Sequence, residues 1–404
     1  MLDCTRLLCG TAHPADALRY GRASGQLPAN LLRYSSDKKP IVVWNSTRRC
    51  NLGCVHCYID AKAAAGEDEL TTAEARAFID DLAGFGSPVI LFSGGEPLLR
   101  PDLFELGAHA VGRGLRAVIS SNGTLIEPEA AARIREAGFS YVGVSLDGME
   151  AVNDRFRARR GAFREALGGI RNCREAGVRV GLRFTLNRHN LDDLADILDL
   201  LVTEDIPRAC FYHLVYAGRG SRLRAADLSH EQTRSAVDLI FARAREYHAR
   251  GLDLELLTVD NHTDGVYLYQ RLREEQPARA EEVLQLLRWN GGNSSGVGLA
   301  AVDPQGNVHA DQFWQHYSFG NVRSRPFSEI WTDTSDPLMA GLKDRRTRLK
   351  GRCGACAYLD LCNGNFRVRA EAVYGDVWAP DPACYLTDAE IGLSGSGNET
   401  AAAG

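Results

Sequence analysis

Cys50, Cys54 and Cys57 stand within eight positions of one another in RRCNLGCVHCYIDA, residues 48–61. Three thiolates on one tight loop are one short of the four that a closed metal or cluster site wants. A structural zinc ion borrowing a distant fourth ligand would satisfy them. So would a [4Fe-4S] cube held by three cysteines, with its fourth iron left open for chemistry. A second group, Cys353, Cys356 and Cys362 with Cys384 further on, supplies four thiolates and leaves the same choice between zinc and an iron–sulfur cluster. Cys4, Cys9, Cys173 and Cys210 are scattered and read as small apolar residues.

Other polar and glycine-rich signals recur at regular places. Strand-like runs IVVWNST (41–47), PVILFSG (88–94), RAVISSN (116–122), YVGVSLD (141–147), GLRFTLN (181–187) and CFYHLVY (210–216) alternate with stretches of helical periodicity at 71–86, 128–138 and 191–206. Thr71 with Glu74 three positions on forms a capping-box pattern. Six βα units in series imply a parallel sheet covered by helices. The cysteine loop, Ser93-Gly94-Gly95-Glu96-Pro97, Ser121-Asn122-Gly123 and Ser145-Leu146-Asp147-Gly148 each follow a strand directly. Such a ring of signals at the carboxyl ends of successive strands favours a barrel over an open doubly wound sheet. With six units the expected fold is α/β, a partial (β/α)6 TIM-like barrel with a wide mouth.

The expected organisation is an N-terminal extension (1–40), the barrel (41–250), a helical linker region (251–292), a cysteine-rich domain (293–391) that opens with a hairpin around Pro304–Asn307, and a disordered tail (392–404). The 404 residues carry a net charge of −5, which argues against binding nucleic acid by phosphate neutralisation. No run approaches the roughly 18 apolar residues of a membrane span. The start MLDCTRLLCG lacks a signal peptide's apolar core, so a cytoplasmic location is expected, where disulfides are rare.

The spacing Cys50-x3-Cys54-x2-Cys57 after a first strand resembles the signature of the radical S-adenosylmethionine (SAM) superfamily. The resemblance implies that SAM chelates the open iron of a [4Fe-4S] cluster and is cleaved to a 5′-deoxyadenosyl radical. Ser93, Gly94, Gly95 and Glu96 are similar to that superfamily's GGEP motif, implying that Glu96 meets the SAM amine while the glycines let backbone approach the ligand. Ser121 and Asn122 fall where the family contacts the ribose and methionyl part, and Ser145, Arg157 and Arg183 where it contacts the carboxylate. His56 takes the place of an aromatic residue whose backbone meets adenine.

The C-terminal cysteines resemble a SPASM-type extension, reduced here to one auxiliary [4Fe-4S] cluster on Cys353, Cys356, Cys362 and Cys384. Phe366 stands where fuller versions have a further cysteine, and the hairpin AVDPQGNVHAD has none. Two clusters in all, and an electron donor such as flavodoxin or ferredoxin, are implied.

Longer stretches, among them PIVVWNSTRRCNLGCVHCY (40–58), LLRWNGGNSSGV (286–297) and KGRCGACAYLDLCNGNFRVRA (350–370), resemble the radical SAM proteins of heme d1 biosynthesis, the NirJ family. That resemblance implies a tetrapyrrole substrate, 12,18-didecarboxysiroheme, from which propionate side chains are removed. A heme-precursor decarboxylase and a SPASM-type peptide maturase are the alternatives. Arg219, Arg222, Arg224, Arg367 and Arg369 are candidates for pairing with substrate carboxylates, or else surface charges. His213, His309 and His316 are candidates for iron ligation or proton handling, or else histidines satisfied by hydrogen bonds. Trp314, Tyr317 and Phe319 would cover a ring face or pack in the core.

Overall fold

The structure, a computed structural model, describes residues 1–11, 19, 39–64, 66 and 68–393. Most of the expected N-terminal extension and nearly all of the expected disordered tail therefore lie outside the described residues. Ten strands form one sheet: β1 (Leu2–Asp3), β2 (Ile41–Asn45), β3 (Val89–Ser93), β4 (Arg116–Ser121), β5 (Val142–Ser145), β6 (Val180–Leu186), β7 (Arg208–His213), β8 (Glu255–Val259), β9 (Leu299–Val302) and β10 (Val308–His309). Their order is β1-β8-β7-β6-β5-β4-β3-β2-β9-β10. Strands β2 to β8 pair in parallel, which makes the curved, incomplete barrel.

The six expected strands are all present. A seventh, β8, lies within 251–292, which was expected to be helical throughout. All five of its residues are buried, so no alternation of polar and apolar positions marks it as a strand. Helices Thr263–Glu275 and Pro277–Asn290 follow it. The hairpin expected around Pro304–Asn307 joins β9 to β10. Strand β9 also pairs in parallel with β2, so the cysteine-rich segment is attached to the barrel's own sheet. At the other edge β1 pairs antiparallel with β8 and leads into helix Cys4–Cys9.

Helix Thr72–Phe85 begins at the capping box expected of Thr71 and Glu74. It covers Trp44 of β2, whose ring is fully buried 5.8 Å from Phe78 and 5.4 Å from Phe92. One apolar core runs from Leu2 through the barrel to Ile391.

A buried ion pair locks the C-terminal segment onto the barrel mouth. Arg369 and Asp381, both fully buried, pair at 2.9 Å. The Arg369 guanidinium also donates to the carbonyls of Leu214, just after β7, and Asp260, just after β8. Asp381 accepts from the backbone N–H of Phe366 and Ala383. Removing one partner leaves an uncompensated buried charge, costing about 3–5 kcal/mol. Asp381→Ala should therefore lower the melting temperature by several degrees, whereas replacing the exposed Arg222 with Ala should not; differential scanning calorimetry checks both.

Candidate active site at the barrel mouth

At the carboxyl ends of the parallel strands lies a cavity of about 1120 Å³, counting its open mouth. Cys50, Cys54, Cys57 and His56 line it with Arg157 beside Cys54, together with Ser93, Gly94, Gly95, Ser121, Asn122, Ser145 and Arg183. Twelve residues singled out in the sequence thus meet in one place. Each thiol sulfur has an N–H donor nearby. Leu52 N lies 3.4 Å from Cys50 Sγ, Arg157 Nη1 3.5 Å from Cys54 Sγ, and Ala61 N 3.4 Å from Cys57 Sγ. Burial pushes the Cys50 thiol up to about 11, and Cys54 up as well. A bound cation reverses that preference by taking the sulfur as thiolate.

The cysteine loop has little regular structure and is held from outside. Glycines 94 and 95 serve this packing first. A Cβ on Gly94 would lie 2.5 Å from Thr47 O, and one on Gly95 2.2 Å from Arg49 O. That closeness lets Gly95 N donate to Thr47 O and Glu96 N to Arg49 O, both at 2.8 Å. The residues that the sequence suggested for ligand approach are therefore also what seats the cysteine loop.

Glu96 is fully buried and does not line the cavity. Its carboxylate accepts from Ser121 Oγ (2.9 Å), Asn122 N (2.8 Å) and Leu98 N (3.2 Å). In this geometry it holds Ser121 and Asn122, which do line the cavity. Burial outweighs those hydrogen bonds and raises the Glu96 carboxyl to about 7.

The two candidate carboxylate-binding arginines differ. Arg157 spends its fork on Cys54 and on Asp147. Arg183 donates to Ser120, lies 4.7 Å from the Tyr212 ring, and keeps its remaining N–H groups without partners among the described residues. Asp147, which had no role assigned from sequence, is a hub of the cavity lining. Its carboxylate takes Thr185 N, Arg157 and His56 Nε2, the last at 3.2 Å. Burial lowers His56 to about 4 despite Asp147, so its imidazole is neutral.

Of the substrate candidates only Arg219 and His213 line this cavity among the described residues. Arg219 is a clamp on the cysteine loop, donating from Nε to Cys54 O and from Nη1 to Asp60 and Ala61 O. Arg367 is fully buried and donates to the carbonyls of Gly364, Val377 and Ala379. Arg369 is the buried cross-link already described. Desolvating a guanidinium demands this many acceptors, so neither Arg367 nor Arg369 reaches a ligand. Arg222 and Arg224 are exposed on Gly218–Ala226 and form no ion pair among the described residues. His309 is buried against Tyr317 O, and His316 is exposed on Glu371. Trp314 donates to Glu371 and Tyr317 to Asp336, with Phe319 packed on Tyr317. Of that stretch it is Gln312 and Phe313 that reach the cavity, together with His213, Tyr58 and Asp260.

Cys353, Cys356, Cys362 and Cys384 line a separate, apolar cavity of about 400 Å³. Burial raises the first three thiols. Among the described residues no three Cys, His, Asp or Glu side chains converge tightly enough for a single metal ion. Zinc needs sulfurs about 2.3 Å from one point, whereas a cube spreads its four cysteines over its corners. Phe366 is buried between Phe313 and His262. No helix among the described residues is long and apolar enough to cross a membrane.

A profile of the radical SAM superfamily matches residues 44–201. The chain is 63% identical over 395 residues to the Fe-coproporphyrin III synthase of Methanosarcina barkeri, covering 97% of this chain and 99% of that protein. It is 47% identical over 359 residues to the pre-heme d1 synthase of Dinoroseobacter shibae, covering 88% of each. In fold it is similar to Streptococcus suis SuiB bound to S-adenosylmethionine, with a TM-score of 0.68 at 15% identity over 86% of this chain and 78% of that one.

Two substitutions test this geometry. Gly95→Ala should speed hydrogen exchange across residues 46–62 and lower thermal stability, because backbone cannot give way to the new Cβ. Glu96 has a folded pKa of about 7 against an ordinary 4.5, so its contribution to stability is full below pH 4.5 and lost as pH rises through 7. Glu96→Gln should remove that slope, worth on the order of 3 kcal/mol between pH 5 and 8. It should also weaken SAM binding about tenfold, because a Gln amide opposes the Asn122 N–H. Denaturant melts across pH, and SAM titration of the reconstituted protein, read the two effects.

Proposed function

We propose, on the premise that this chain belongs to the radical SAM superfamily, that it removes carboxyalkyl side chains from a siroheme-derived iron tetrapyrrole and releases Fe-coproporphyrin III. The chain is a heme-pathway radical SAM enzyme acting on tetrapyrrole-related substrates. The observation that carries the finer reading is the 63% identity to an Fe-coproporphyrin III synthase along essentially the full length of both proteins. The substrate proposed is 12,18-didecarboxysiroheme, as the sequence resemblance implies. Pre-heme d1 formation from the same substrate is the second reading, favoured by the 47% identical relative.

The donor sets fit the cofactors this requires. Cys50, Cys54 and Cys57, each beside an N–H donor, would hold a [4Fe-4S] cluster. Ser121, Asn122 and Ser145 in the cavity, with the unspent donors of Arg183, would hold SAM against it. Bound together, cluster and SAM supply the 5′-deoxyadenosyl radical. The protein's own part is orientation and exclusion of water. Glu96 fixes the Ser121–Asn122 turn, Asp147 aligns Arg157 and His56, and Arg219 holds the cysteine loop shut. Cys353, Cys356, Cys362 and Cys384 would hold an auxiliary [4Fe-4S] cluster, closed by four sulfurs and suited to electron transfer. Arg222 and Arg224, exposed on the segment that follows β7, suit substrate carboxylates. A flavodoxin or ferredoxin would deliver the electrons.

Anaerobic turnover of didecarboxysiroheme with SAM and dithionite should give a product that co-elutes with Fe-coproporphyrin III and has its mass. Pre-heme d1 as product would select the second reading, and modification of a peptide instead would reject both. Reconstituted protein should carry about eight irons per chain. Replacing Cys50, Cys54 and Cys57 with Ala should halve that and abolish SAM cleavage. Replacing the four C-terminal cysteines should halve it while sparing SAM cleavage.

A further inference from the structure

His213 is the last residue of β7 and stands on the cavity wall, buried. Its Nε2 lies 2.9 Å from Asp264 Oδ2 in helix Thr263–Glu275. Asp264 is itself fully buried, and its other oxygen accepts from Tyr385 OH at 2.9 Å. A carboxylate only accepts, so in the neutral imidazole the ring proton sits on Nε2 and leaves the lone pair on Nδ1. Nδ1 has no hydrogen-bond partner among the described residues, and it is not one of their buried orphan atoms. An imidazole with one nitrogen fixed by a carboxylate and the other left open is the arrangement of a metal-ligating histidine.

Other wall groups are less suited. The second histidine, His56, has Nε2 on Asp147 and Nδ1 sealed from solvent. Tyr58 OH is taken by Asn45 and Ser93. Burial holds Tyr212 and Asp260 toward their protonated, poorly ligating forms. Phe313 lines the same cavity, its ring edge-on to that of Tyr58.

We propose that His213 Nδ1 is the axial ligand of the substrate's iron, with Asp264 as the residue that positions it and Tyr385 behind it. The inference rests on the iron-tetrapyrrole reading above. Binding forms one coordinate bond from the Nδ1 lone pair to iron, displacing a water ligand, with no change of oxidation state. It anchors the macrocycle at its centre, leaving the peripheral side chains to be presented to SAM.

The test titrates reconstituted holoenzyme with ferric Fe-coproporphyrin III and, in parallel, with metal-free coproporphyrin III. Wild type should bind the iron form about tenfold more tightly and show a histidine-ligated iron by electron paramagnetic resonance. His213→Ala should lose that preference and signature while binding the metal-free macrocycle unchanged, and added imidazole should restore the signature. Asp264→Asn should keep the ligand but shift the ferrous iron–histidine stretch in resonance Raman. Equal wild-type affinity for both macrocycles, or no histidine signature, would overturn the ligand while leaving the tetrapyrrole reading intact. Equal weakening of both by His213→Ala would assign the residue to structure and overturn it as well. Binding of neither macrocycle by wild type would remove the tetrapyrrole reading and this inference with it.

Discussion

The segment that bears the three cysteines has little regular structure, and its shape is imposed by backbone from three other places. Thr47 O and Arg49 O receive the N–H groups of Gly95 and Glu96. Phe156 O receives Val55 N, while Arg219 N donates to Cys57 O. Gly218 allows that last approach, since a Cβ there would lie 2.4 Å from Tyr58 O. Loops after β3, β5 and β7 therefore grip the loop after β2. A cofactor site built on a loop needs this kind of external preorganisation, because a loop alone would pay the full conformational entropy of ordering at each binding event.

Arginine is the second material of this architecture. Arg157, Arg219, Arg367 and Arg369 all lie near one of the two cysteine groups or the mouth, and all donate to protein acceptors. A guanidinium can satisfy several carbonyls from one point, which suits joining irregular chain segments that have no sheet or helix to pair them. The same property hides these roles from the sequence. Residue type and neighbourhood of the cysteines suggested carboxylate binding for Arg219, Arg367 and Arg369, but burial and the positions of partners distant in sequence decide what such a side chain does.

The barrel was legible because its signals are periodic and local. Six strands followed from apolar runs, and the capping box at Thr71 from two residues three apart. Ten of the twelve cavity residues were legible because residues at and just after the ends of successive strands must converge at one end of a parallel sheet. Arg157 and Arg183 came from the family resemblance alone. Strand β8 was not, since LELLTV is uniformly buried and is flanked by long helices. Asp147 escaped because its partners, His56, Arg157 and Thr185, come from three separate segments. In 312–319 Trp314, Tyr317 and Phe319 were singled out and Phe313 was not. Trp314 turns inward to Glu371, while Phe313, one position earlier, reaches the cavity packed on Phe366 and Tyr58.

A fold shared with SuiB at 15% identity says nothing about what is acted upon. The cavity wall of this chain is built in two parts. The ends of β2 to β5 supply the cysteine, serine and asparagine side chains, whose geometry is set within the barrel. The remaining wall, His213, Asp260, Gln312 and Phe313, comes from the last strands and from the segment tethered to them. The Arg369–Asp381 pair fixes Leu214 and Asp260 to that segment, and Tyr385 reaches Asp264 beneath His213. Cys384 is the immediate neighbour of Tyr385. That second part of the wall and the second cysteine cavity are thereby tied together through residues 381–385, so the order of the C-terminal segment helps fix the shape of the cavity's mouth.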